Sequence, residues 1–144
     1  MSPGGKRRAE EFRTAYFHQE KQNGNELQHV ENDYSTNGQG AKVGITWSEE
    51  PDGTWFLNLR SGKFDDAILL CQTKPDGSLV VRLPRVFLNR YRNLLSRDTR
   101  GQFKFNIVRE RGTFYIRLLR PAGLTDISSF VSRQKVIAKE IILE

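Results

Sequence analysis

The 144-residue chain holds one cysteine (Cys71), one methionine and two histidines (His18 and His29), and this scarcity removes several chemistries at once. A single thiol closes no internal disulfide, so stability must come from a packed core, and a reducing, intracellular setting is expected. His18, His29 and Cys71 lack the paired spacing of a structural zinc site. Cys71 lies inside the most apolar stretch of the chain, where a thiol is inert, so no Cys–His nucleophilic pair is expected either. No glycine-rich phosphate loop of either common spacing occurs, and no cofactor is expected. Long hydrophobic runs are also missing. The longest is the five residues Ala67–Cys71, against the roughly 20 that a bilayer span needs. Neither a membrane segment nor a membrane partner is expected, and the charges of Met1–Arg8 have no apolar stretch behind them, as a secretory leader would.

What the chain does have is enough apolar content for one core, 37% of residues, and a net charge of +6. The charge is unevenly placed. Between Arg82 and Arg120 there are eleven basic residues against Asp98 and Glu110, a local +9, so the remainder sums to −3. Ten of the eleven are arginine, whose planar fork suits bidentate contacts to phosphate and to guanine edges.

The pattern predicts a mainly β fold, an open barrel or strongly bent antiparallel sheet of about six or seven strands with one or two short helices. Residues 1–40 read as a helix over 7–22 followed by a flexible arm, because 23–40 are polar, glycine-rich and without period. Residues 41–133 read as the β-rich binding domain and 134–144, with Val136, Ile137, Ile141, Ile142 and Leu143, as a tail that is either a last element or a linker. Glu50-Pro51-Asp52-Gly53, Lys74-Pro75-Asp76-Gly77 and Glu110-Arg111-Gly112 are turn sequences, each followed by a run whose second, fourth and sixth residues are apolar. These are expected to be hairpin returns, with partner strands at 41–48, 66–73 and 102–109. Ile68–Cys71 are apolar on both parities, as in a strand covered on both faces. Phe87, Tyr91, Leu94 and Leu95 have helical spacing after Pro84, and a second short helix is expected over 126–133.

The parities also select a binding surface. If Phe103, Phe105 and Ile107 face the core, then Lys104 and Asn106 share the opposite face with Tyr115 and Arg117, and Asn58, Arg60 and Arg82 fall on the outer faces of their own strands. The helix after Pro84 adds Arg85, Asn89, Arg92 and also Arg90 away from its apolar stripe. Arginine, asparagine, lysine and tyrosine on exposed faces are the residue types that contact phosphates and base edges, so double-stranded DNA is the expected partner, with some sequence preference. Single-stranded nucleic acid is the nearest alternative, with Tyr115, Tyr91 or Trp55 as a stacking surface, although Trp55 shares parity with Leu57 and Leu59 and is expected in the core. An enzymatic alternative uses Pro51-Asp52 and Gln72-Thr73-Lys74, which resemble the Pro-Asp…Asp/Glu-x-Lys signature of a large nuclease family. It implies magnesium held at Asp52 and Gln72 with Lys74 near the phosphate, where Asp52 opens a strand antiparallel to the one that Gln72 and Lys74 end.

The stretch Asp76–Tyr91, glycine, apolar strand, proline, amphipathic helix, resembles the signature of B3 DNA-binding domains, and the hairpin 102–120 is similar to that family's later strands. The resemblance covers about 45 of the 144 residues, and AbrB-like swapped-hairpin barrels share the motif. It implies an open pseudobarrel that reads the DNA major groove, as a regulator or as the target-reading domain of a restriction endonuclease with a linked or separate catalytic domain.

Overall fold

A computed structural model of the chain describes residues 3–31, 34–50, 52–60, 64–74 and 76–138. The chain is mainly β, with the barrel-like curl expected of it. The elements run α1 (Pro3–Gln22), β1 (Gln28–Glu31), β2 (Tyr34–Thr36), β3 (Lys42–Glu49), β4 (Thr54–Leu59), β5 (Asp66–Lys74), β6 (Gly77–Leu83), α2 (Arg85–Tyr91), β7 (Ser96–Arg97), β8 (Phe103–Glu110), β9 (Thr113–Arg117), β10 (Leu124–Asp126) and β11 (Val136–Ile137). Among the described residues, six of these strands, β3–β6, β8 and β9, have five residues or more.

Two sheets share the strands. One runs β1-β2-β3-β5-β6-β11; the other runs β10-β9-β8-β4, with β7 also on β8. Between them lies the larger core, in which Trp55, Leu57 and Leu59 of β4 and Phe103, Phe105 and Ile107 of β8 meet Leu69 and Cys71 of β5 and Val81 and Leu83 of β6. A second core lies on the other face of the six-stranded sheet. There Ala9, Phe12, Ala15 and Tyr16, one stripe of α1, cover Val43, Ile45 and Trp47 of β3, Ile68 and Leu70 of β5 and Val80 of β6. Phe12 stacks on Trp47 with ring centroids 5.9 Å apart. β5 is therefore sandwiched between helix and sheet, which is why its residues are apolar on both parities.

The hairpins 66–83 and 102–118 form as expected, as antiparallel β5–β6 and β8–β9. Three expectations are corrected. The strand at 41–48 does not return on 54–59: β3 pairs parallel with β5, and β4 pairs antiparallel with β8 in the other sheet. The Glu50–Gly53 turn instead carries the chain from sheet to sheet, which lets β3 bury Ile45 under α1 while β4 buries Trp55 between the sheets. The expected loop at 23–40 contains β1 and β2, which extend the six-stranded sheet beyond β3. The expected helix over 126–133 is one 3₁₀ turn, Ser128–Phe130. In the tail, Val136 and Ala138 are buried and β11 pairs with β6, while Ile141, Ile142 and Leu143 lie outside the described residues.

α2 begins where Pro84 has no N–H to satisfy, and Asp66 at the start of β5 accepts the Arg85 N–H at 2.8 Å. Phe87 and Leu88 turn into the larger core, so α2 closes one end of the space between the sheets. Among the described residues, no helix is long and apolar enough to cross a membrane.

Candidate nucleic-acid interface

Strand direction sorts the charges. β3 and β5 are parallel, so Glu49, Gln72 and Lys74 finish at one end of the molecule, where β4 starts and β8 stops. Glu49, Glu50, Asp52, Asp76 and Glu110 gather there with Lys74, Arg109 and Arg111, and Arg109 is drawn to Glu50 at 2.8 Å. The opposite end holds the last residues of β4, β6 and β9, the first of β8, α2 and the turn after β7. Its cations include Arg60, Arg85, Arg90, Arg92, Arg97, Arg100, Lys104, Arg117 and Arg120, against Asp65, Asp66 and Asp98. These three acids are engaged locally. Asp65 accepts the Lys42 N–H at 3.0 Å and faces Arg85 at 3.4 Å. Asp66 caps α2, and Asp98 accepts the N–H groups of Arg100 and Gln102, both at 2.9 Å, inside the turn.

The outer face of the five-stranded sheet brings together the strand residues expected there. Asn58 of β4 stands opposite Lys104 of β8, and Asn106 follows two residues along. One step past the Ile107–Ile116 pair, Arg117 of β9 reaches the same face. Lys104 and Arg117 are exposed. Asn106 is half-buried, and its Oδ1 has no hydrogen-bond partner among the described residues. Tyr115 shares this face but stands opposite Asp126 of β10. The Ser128 backbone N–H and hydroxyl hold the exposed Asp126 carboxyl below its usual range, and its carboxylate puts a negative charge beside Tyr115 on that part of the face. Arg60 follows β4, with its guanidinium 5.0 Å from the centre of the Tyr34 ring.

Arg85, Asn89 and Arg92 belong to the same end but not to the same face. Arg85 and Asn89 are on the exposed side of α2 with Arg90. Arg92 lies one turn on, 5.7 Å from the Phe103 ring centre, and Arg97 is 4.3 Å from the same ring. Two neighbours went unnoticed in the sequence. Val86, 79% exposed, lies between Asn89 and Arg90 on the outer side of α2, and Phe56, 57% exposed, lies beside Asn58 on β4. The signal for Phe56 was present, since it shares parity with Asn58.

Arg82 is separated from all of these. It points from β6 toward α1, where it pairs with Glu20 and lies 5.7 Å from the Tyr16 ring centre. Burial pushes the Glu20 carboxyl up, but hydrogen bonds from the Tyr16 hydroxyl and from Arg82, the Arg82 charge and the Asn25 amide together hold it below the usual range. The Tyr16 phenol is itself driven far up by burial, against the charge of Arg82.

The nuclease geometry is also corrected. Asp52 precedes β4 in one sheet while Gln72 and Lys74 end β5 in the other, so they do not sit on antiparallel neighbours. The Gln72 carbonyl accepts the Trp55 Nε1–H at 3.0 Å across the two sheets. Among the described residues, no group of three or more His, Cys, Asp or Glu side chains is arranged to hold a metal ion.

No protein-family model matches the sequence, and no curated protein or solved structure matches it.

Proposed function

We propose that this chain binds double-stranded DNA through its basic end, with the outer side of α2 directed at base edges and Lys104, Arg117 and the arginines around the turn after β7 directed at phosphates. The observation that carries the reading is the composition of that helix face. Arg85, Val86, Asn89 and Arg90 stand together on it and are exposed. Arginine bonds guanine, asparagine bonds adenine, and a small apolar side chain contacts the thymine methyl, so the face holds the residue types of major-groove readout. The cations around it are the type that fixes register on the backbone. The strand, proline, helix order of 77–91 agrees with the B3 resemblance, which adds the setting of a regulator or of the target-reading part of a restriction endonuclease.

The test is fluorescence anisotropy with a labelled random-sequence duplex across a salt series. Neutralising about six phosphates gives a log–log slope near −5, so affinity should fall roughly a thousandfold between 50 and 200 mM salt. Arg90→Glu should weaken binding and flatten the slope. Weak, salt-independent binding would sink the proposal and leave a protein-interaction surface with a basic end. Loss of intact probe only when magnesium is present would instead favour cleavage involving Asp52 and Lys74.

A further inference from the structure

Between α1 and the free edge of β4 runs a groove of about 1010 Å³ that is separate from the outer side of α2. Its walls come from all three layers: α1 on one side, Thr46 and Trp47 of β3 at the floor, and β4 with the 100–102 turn on the other. The groove combines two kinds of side chain. Arg13 of α1, Arg60 after β4 and Arg100 in the turn place cations on both walls, against one acid, Glu10, among the described residues. Between them are aromatic surfaces: Phe17, half-buried, with its ring 6.4 Å from that of His29, and Phe56, more than half exposed. Phe56 stands exposed on a strand whose alternate residues Trp55, Leu57 and Leu59 are fully buried, so its ring is open to a ligand in the groove. The groove also carries hydrogen-bonding groups: Asn58 lines it, and Trp47, buried and lining the same groove, has an Nε1–H without an acceptor among the described residues.

We infer that this groove holds unpaired nucleotides of a strand that leaves the duplex bound at the basic end, with a base stacked on Phe56 and phosphates met by Arg60 and Arg100. The inference rests on the duplex reading for the strand's origin, but not for its chemistry. A polyanion with planar aromatic faces matches cations interleaved with exposed rings. A duplex does not, because its bases are already stacked and it offers only backbone and groove edges. The groove is continuous with the basic end through Arg60 and Arg100, which gives a strand an entry.

The experiment compares four labelled probes by anisotropy: a blunt hairpin duplex, the same duplex with a six-nucleotide oligo-dT tail, the same duplex with an abasic tail of equal length, and free oligo-dT. The base-bearing tail should tighten binding about tenfold over the blunt duplex, the scale of one stacked base. The abasic tail should give only a small part of that gain. Phe56→Thr keeps a good strand former on an exposed position and should abolish the gain, read as the ratio of tailed to blunt affinity within the same variant, and Phe56→Tyr should retain it. Circular dichroism of each variant checks that the fold is intact. A blunt duplex that binds while the tail adds nothing, or an abasic tail that binds as well as oligo-dT, would overturn the groove and spare the duplex proposal. Free oligo-dT that binds and is lost in Phe56→Thr, with no duplex binding, would sustain the groove and end the duplex proposal. Failure to bind any probe would end both.

Discussion

Glu20 is the acid on which the seat of α1 depends. Its side chain is 3% exposed, and one carboxylate oxygen takes both the Tyr16 hydroxyl at 2.7 Å and the Arg82 guanidinium. Because its folded pKa lies below the ordinary 4.5, its contribution to stability is complete above that value and is lost as pH falls through the lower folded value. Acid titration of the unfolding midpoint should therefore show a loss beginning near pH 4.5 that is smaller in Glu20→Gln than in the wild type. Arg82→Ala removes the cation that faces this carboxylate, but the Arg82 side chain is about half exposed and its loss lets water reach Glu20, so the substitution should cost about 1 kcal/mol in urea unfolding. If Arg82 served binding instead, the same substitution would weaken duplex affinity and leave the urea midpoint in place. Cys71 makes a second prediction of this kind. It is fully buried, and burial, aided by the Glu50 charge, pushes its thiol far up, so a thiol reagent should label it only at the rate of unfolding. Rapid labelling of the native protein would contradict its place in the core.

Between elements, close approach of the two sheets depends on Gly44 in β3. A Cβ at this position would lie 2.9 Å from Leu59 Cδ1 and 3.2 Å from Phe64 Cβ, both in the core. Leu59 is held by its neighbours and the Phe64 Cβ is fixed by its backbone, so Gly44→Ala should destabilise by about 1–3 kcal/mol through overpacking, read as a lower urea midpoint. The Trp55 Nε1–H to Gln72 carbonyl bond joins the same two sheets from the other end. These contacts mark the boundary of what the sequence discloses. Alternation in 54–59, 78–83 and 113–118 identified strands and the faces they bury, because period-2 burial is local. Which strand a β4 or a β3 pairs with is decided by long-range burial, and the Pro-Asp-Gly turn at 51–53 is equally compatible with a hairpin and with a passage between sheets. Glycine 44 had no legible role, since the side chains it accommodates lie 15 and 20 residues further along the chain. The same limit explains Arg82: parity placed it correctly away from the larger core, but parity does not say what covers a face, and here α1 covers it.

At the scale of the whole molecule, the sequence's +9 segment divides between the two ends. Arg109 and Arg111 go to the acidic end, and Arg82 pairs with Glu20 of α1, while the rest collect around α2 and the edge of the five-stranded sheet. The result is a molecule with opposite signs at its two ends, and a polyanion approaching it should be oriented before it makes contact. Charge reversal then has a different meaning at each end. Arg117→Glu removes a cation from the face that also holds Lys104 and should lower duplex affinity and reduce the salt slope by about one. Arg111→Glu, at the exposed tip of the β8–β9 turn, changes the net charge by the same amount. If net charge governed binding, the two variants would lose affinity equally. If the basic end governs it, Arg111→Glu should retain the wild-type slope and lose only the small long-range attraction, which screening over about 8–10 Å at physiological ionic strength removes. Association rates measured by stopped flow at two salt concentrations separate the cases: the Arg111→Glu rate should converge on the wild-type rate as salt rises, whereas the Arg117→Glu complex should still dissociate faster. Convergence of both variants on the wild type would mean that the basic end attracts nucleic acid without holding it.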